Sequence, residues 1–160
     1  MITVDHVRSI LKYDPETGFF TWITHKRRPD LIGKRAGSPT NMGYWAIAIK
    51  NQKFLAHRLA WLYMTGSWPS QHIDHKDGNK QNNAFSNLRE VSRFENLQNM
   101  RKPTKANKSG YLGVSAHQGK WRVQLMAQGK RFRISGIDTP EEAHQKYLEL
   151  KRLHHVTCTI

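Results

Sequence analysis

The sequence predicts an α+β chain built from two small folded units, and three observations carry that expectation. Its 160 residues suit one domain or two small ones, each with a modest core. The strand-like and helix-like segments are short and bounded by turn signals. Residues 101–110 then hold Lys or Arg at 101, 102, 105 and 108 with no acid and too little apolar content for a core, which marks a linker between the units.

Thr3 is placed to cap a helix over residues 4–12, with Val4, Val7, Ile10 and Leu11 at helical spacing. Asp14-Pro15-Glu16-Thr17-Gly18 ends it in a turn. Phe19–Ile23 and Tyr44–Lys50 read as strands from their aromatic and β-branched content, joined by a basic, glycine-containing stretch from Lys26 to Gly43. Trp22 and Trp45 are expected in the core, while Lys26, Arg27, Arg28, Lys34 and Arg35 form a loop able to follow a phosphate backbone. Ala56–Met64 is a helix closed by Gly66, with Pro69 beyond it. Next come a short extended run, His72–His75, a turn at Asp77-Gly78, a second strand at Asn87–Val91 and a helix from Arg93, where Ser92 and Glu95 have capping-box spacing. After the linker, Leu112–Ala116, Trp121–Ala127 and Arg131–Ser135 form a meander with turns at Gln118-Gly119 and Gln128-Gly129. Thr139, Pro140 and Glu142 start a closing helix that presents Ala143, Tyr147 and Leu150 to the sheet.

Charge narrows the function. Twenty-six Lys and Arg oppose 12 Asp and Glu, a formal +14, which points to a polyanion. Sixteen aromatic residues within a 38% hydrophobic chain exclude a disordered basic tail. No apolar run approaches the ~20 residues of a membrane span, mean hydropathy is −0.72, and no signal peptide follows Met1. The lone Cys158 supports neither a disulfide framework nor a thiolate zinc site, so an intracellular location is expected.

The chemistry gathers between residues 72 and 96. Alternation along a regular strand points Asp74 and His75 to opposite faces, so serving one site requires a bend, which the Asp77-Gly78 turn could supply. Carboxylate and amide oxygens from Asp74 and Asn96 suit a hard ion such as Mg²⁺, and a neutral His75 beside it could take a proton from water. An Asp-His pair alone is more often structural. Asn82-Asn83 read as loop residues, His57 as a packed residue at its helix start, and His154-His155 as solvated.

The ordered set Asp74-His75-Lys76-Asp77-Gly78-Asn79-Lys80, Asn82-Asn83, Asn87-Leu88-Arg89 and Glu95-Asn96 resembles the HNH endonuclease motif of the ββα-metal superfamily, in its phage and homing-endonuclease version. Ala56-His57-Arg58-Leu59-Ala60-Trp61 and Gly66-Ser67-Trp68-Pro69 resemble that family's lead-in, and the likeness spans residues 54–100. It implies that His75 is the general base, that Asp74 and Asn96 hold Mg²⁺ or Mn²⁺, and that Asn87 braces the loop orienting His75. His72 is a lesser candidate for positioning phosphate.

In the C-terminal meander, apolar Trp121, Val123 and Leu125 alternate with Arg122, Gln124 and Met126, and Phe132 and Ile134 alternate with Arg131, Arg133 and Ser135. Nine Lys or Arg and no acid lie between Asn96 and Ile137. Tyr111-Leu112-Gly113-Val114, Gly119-Lys120-Trp121 and the segment from Gly136 to Ala143, with Tyr147, resemble the AP2/ERF domain over residues 109–154. That resemblance implies a sheet laid in the DNA major groove. Arg122, Gln124, Arg131 and Arg133 are the expected contacts, with His117, Ser115 and the linker residues Lys105 and Lys108 as further candidates. Leu112, Ser115 and Met126 stand where the plant domains carry arginines.

The expected arrangement is thus an N-terminal sheet with a nuclease domain over residues 1–100, a linker over 101–110 and a reader over 111–160. The expected protein is a homing-endonuclease-like hydrolase of double-stranded DNA, a monomer or dimer, with no membrane and no small-molecule cofactor, in the cytoplasm of a bacterial or phage-infected cell. A non-catalytic DNA-binding protein and an RNA-directed nuclease are the rival readings.

Overall fold

A computed structural model describes residues 2–98, 103 and 106–155. It is an α+β chain that divides into two compact units, residues 1–93 and 94–160. The division falls seven residues before the expected boundary.

In the first unit, Thr3 Oγ1 accepts the His6 N–H and caps α1 (Val4–Ile10). The helix stops at Ile10, two residues short of expectation, because Leu11–Tyr13 is extended as β1 and pairs antiparallel with β2 (Phe20–Trp22). Leu11 and Tyr13 are buried there, so tertiary packing overrides the helical spacing. The connecting turn is an Asx turn in which Asp14 Oδ1 accepts the Glu16 and Thr17 N–H groups. A second antiparallel sheet runs β3 (Ser38–Pro39), β4 (Trp45–Ile49), β5 (Gln52–Leu55). It leads into α2 (Ala56–Thr65), which ends on left-handed Gly66. β6 (His72–His75) pairs with β7 (Leu88–Val91), and His75 lies opposite Leu88. Val7, Phe20, Ile47, Leu59, Ile73 and Leu88 share one core, which sets β6 against α2 and the N-terminal hairpin.

Trp22 is buried as expected, and the half-buried Trp45 donates its indole N–H to Ala36 O. The basic loop is more committed than expected. Arg35 is stacked between the Phe19 and Trp45 rings, 3.6 and 3.8 Å from their centroids, and Arg28 is paired with Asp30 at 2.8 Å.

The second unit begins within α3 (Arg93–Gln98) and continues as β8 (Val114–His117), β9 (Lys120–Ala127) and β10 (Lys130–Ile137), an antiparallel meander of order β10-β9-β8. Both hairpins turn on Gln-Gly pairs with positive φ at each residue, the conformation that matches strand twist. α4 (Pro140–His154), capped by Thr139, packs on the sheet through Ala143 and Tyr147 against Val114, Val123, Leu125 and Ile137. The expectation of solvated histidines at its end is corrected. His154 stacks on Phe132 at 4.0 Å, and buried His155 directs Nε2 at Met126 O, 3.1 Å away, because the helix end folds back over the sheet. No described helix is long and apolar enough to cross a membrane.

Candidate active site

The β6–β7 hairpin carries the site, and the loop between its strands is organised around one carboxylate. Asp77 Oδ1 accepts the Asn79 N–H and the Asn87 side-chain amide, at 2.8 and 3.0 Å, and Oδ2 accepts the Asn82 amide at 2.7 Å. Burial raises the Asp77 pKa, but these hydrogen bonds more than offset it and leave the carboxyl below its ordinary range. Asn87 reciprocates: its Oδ1 accepts the Asp77 N–H, and its Nδ2 also donates to Asn82 O. Its amide is spent inside the loop.

That loop delivers Asn83, which is 1% exposed, to His75. Asn83 Nδ2 donates to Gln81 O, so Oδ1 faces His75 Nε2 at 3.1 Å. An amide oxygen only accepts; Nε2 therefore carries the hydrogen and Nδ1 the lone pair. Burial holds the His75 pKa below the ordinary imidazole value, although the Asn83 bond and the charges of Asp77 and Asp74 oppose it. His75 is thus neutral at neutral pH, the protonation state a base requires.

Two aromatic neighbours frame the ring. His57, at the start of α2, meets His75 edge-on with centroids 5.1 Å apart, and Tyr44 lies 6.2 Å from His75 and 5.3 Å from His57. Burial, then the proximity of His75 and Arg58, lowers the His57 pKa to about 3, and its buried Nδ1 has no hydrogen-bond partner among the described residues. Lys80 Nζ sits 4.5 Å over the Tyr44 ring. His57 does pack at its helix start, as the sequence suggests, but its neighbour is the candidate base itself. Tyr44 lies outside the motif residues, and Asn83, although within them, reads from sequence only as a loop residue, since its bond to His75 forms through the fold of the Asp77 loop.

Asp74 lies on the opposite face from His75, as strand alternation requires, because β6 stays in regular register through His75 and the chain turns only beyond it. Its Oδ2 accepts both the Nε and a terminal N–H of its cross-strand partner Arg89, at 3.0 and 2.8 Å. His72 shares that face and is exposed. Asn96 is half-buried on α3, in the second unit. Among the described residues no three His, Cys, Asp or Glu side chains cluster as a metal site.

In the second unit, register sets Ser115 opposite Arg122, Gln124 opposite Arg133 and Met126 opposite Arg131, so these side chains and His117 share the sheet face turned away from Val123 and Leu125. Arg131 and Arg133 are exposed; Arg122 is half-buried, and its Nε lacks a hydrogen-bond partner among the described residues. Lys108 is exposed, and Lys105 lies outside the described residues.

The HNH endonuclease family matches residues 54–98, the span holding α2, β6, the Asp77 loop and β7. Protein 3.8 of Escherichia phage T7 is 36% identical over 101 residues, covering 61% of this chain and 83% of that protein. An uncharacterised HNH endonuclease of Acanthamoeba polyphaga mimivirus is 35% identical over 132 residues, covering 81% of this chain and 67% of its own. A solved structure of the HNH homing endonuclease I-HmuI, on DNA binding and cleavage, aligns with TM-score 0.46 and 20% identity over 98% of this chain and 93% of that one. With the Asp-His strand, the stapled loop and the neutral histidine in place, the class is that of a nuclease. The chain belongs to the HNH endonuclease family.

Proposed function

We propose that the protein is a metal-dependent endonuclease that hydrolyses phosphodiester bonds in double-stranded DNA, with His75 as general base. The observation that carries this reading is a neutral His75 whose Nε2 is held by Asn83, which leaves Nδ1 to accept a proton from water. Asn87 is a positioning residue in this reading, because its amide is consumed by Asp77 and Asn82. The donor chemistry fits Mg²⁺ or Mn²⁺. Asp74 offers a hard carboxylate whose charge Arg89 already balances in part, and such ions need few protein ligands when phosphate and water supply the rest. Asp74, on the strand face opposite His75, would hold the ion as the family resemblance implies. Asn96, the second expected ligand, enters through the family resemblance. When bound, the ion stabilises charge on the phosphate and on the leaving 3′ oxygen.

The second unit is proposed as an AP2-like reader. Arg122, Gln124, Arg131 and Arg133 share one sheet face, on which Arg131 and Arg133 are exposed, a geometry suited to the major groove, with His117, Lys105 and Lys108 as further contacts and His72 positioning phosphate in the first unit. The relative in Escherichia phage T7 supports action inside a bacterial or phage-infected cell.

Incubation with supercoiled plasmid tests the activity. Mg²⁺ or Mn²⁺ should convert it to nicked or linear DNA, and chelator should stop the reaction. Binding without conversion in either metal would identify a non-catalytic DNA-binding protein, and cleavage confined to 2′-hydroxyl substrates an RNA-directed enzyme.

A further inference from the structure

The turn between β1 and β2 reaches the residue that orients His75, although about 70 positions of sequence separate them. Buried Tyr13 donates its hydroxyl to Asn83 O at 2.7 Å. Two residues on, Phe85 N–H donates to Pro15 O at 2.9 Å. Between these contacts Gly18, at φ 73°, lies so near the loop that a Cβ there would overlap the Asn83 carbonyl carbon and the Ala84 nitrogen. The hairpin therefore grips the main chain of residues 83–85 at three points. Its own placement is firm: the Tyr13 ring lies 4.7 Å from Phe20 and 5.6 Å from Tyr63. Burial, with Asp14 adding to it, holds the Tyr13 hydroxyl above its ordinary pKa, so it stays a donor.

We propose that the β1–β2 hairpin is a positioning element of the active site: by clamping the Asn83 backbone, Tyr13 and the Asp14–Gly18 turn fix the tautomer of His75. The Asn83 side chain can hold Nε2–H only while its backbone is fixed, because Oδ1 reaches His75 and Nδ2 reaches Gln81 O from that one position. With the anchor loosened, the amide can rotate or retreat, and the imidazole proton redistributes between its nitrogens. A histidine protonated at Nδ1 has no lone pair there to offer water. This inference rests on the proposed role of His75 for its effect on rate, but not for its effect on the ring.

Nitrogen-15 NMR of the His75 ring in the full chain, alongside plasmid cleavage kinetics, tests it. Wild-type protein should show the Nε2–H form. Asn83→Leu should give mixed tautomers and lower kcat by ~10²-fold, near the lower range for losing a general base. Tyr13→Phe removes one oxygen, retains the ring contacts and should lower kcat by about 10-fold, the scale of one hydrogen bond, with KM within about 2-fold. A tautomer unchanged in both Asn83→Leu and Tyr13→Phe overturns the proposal whatever the cleavage rates. If the tautomer follows these variants while His75→Ala cuts at the wild-type rate, the clamp stands and the general-base reading falls.

Discussion

The two units present candidate functional residues in opposite ways. Around His75 the side chains are bound to one another: His75 and Asn83 are buried, and the exposed Asp77 exchanges hydrogen bonds with half-buried Asn82 and Asn87 until little donor capacity is left. On the β8–β10 sheet, Arg131 and Arg133 stand exposed, aligned by strand alternation. The first arrangement fixes one group in one protonation state. The second presents charge that can follow the contour of a ligand. Chemistry needs preorganisation, whereas a polyanion is held by long side chains that keep their freedom until it arrives. Substitutions should therefore separate the units by what they damage.

The largest effect is expected at His75. His75→Ala should slow cleavage by ~10² to 10⁴-fold while leaving duplex affinity within about 2-fold, because the residue is assigned to proton transfer and not to phosphate neutralisation. Single-turnover rates and gel-shift titrations on the same preparation would check this, and a wild-type rate would break the contrast. Acid comes next. His57 titrates near 3 in the fold against 6.5 when unfolded, so below about pH 6.5 the unfolded chain gains a proton that the folded chain refuses. Stability present above that pH is lost as pH falls toward 3, at about 1.4 kcal/mol per unit within the window, and His75 adds a loss of the same sign. Urea unfolding at several pH values should show a shallower slope in His57→Gln than in wild type.

Asn87→Ala should cost roughly 1–3 kcal/mol of stability, since the Asp77 carboxylate and Asn82 O each lose a donor, and cleavage should fall with it. Thermal unfolding combined with the plasmid assay measures both. The smallest effect on the fold belongs to the proposed reader: Arg131→Ala and Arg133→Ala should alter stability by no more than about 0.5 kcal/mol. Each should reduce the log-log salt slope by about 0.9 where it meets phosphate. At least one of Arg122→Ala and Arg133→Ala should relax discrimination at a single base by about 1–3 kcal/mol, read from binding to matched and singly substituted sites.

The same contrast explains what the sequence could reveal. The meander and its basic face were legible because alternation and Gln-Gly turns are local signals, and the α+β class followed from them. The β4–β5 hairpin was missed because it turns on Lys50-Asn51, both at positive φ, with no glycine to announce it. β1 was missed because Leu11 completes a helical pattern and becomes extended only once its side chain is buried. In the site, Asp74, His75 and Asn87 stand out by spacing. His57 and Asn83 are also motif residues and Tyr44 is not, but the contacts by which all three set that chemistry form only when α2, β4 and the Asp77 loop pack together. Arg89 was legible as a motif residue, but its hold on Asp74 emerges from cross-strand register.

β10 forms one margin of the meander, eight residues long and paired on one side only among the described residues. Such a margin offers open backbone groups to any other extended chain and invites sheet-to-sheet aggregation. Lys130, Arg131 and Arg133 place charge along it, and the register breaks between Ile134 and Ile137, around Gly136. The arginines proposed to meet DNA therefore also place charge along an edge where charge opposes sheet-to-sheet pairing. Removing their charge wholesale exposes a sticky edge, so loss of solubility would accompany loss of DNA binding in a multiply neutralised variant.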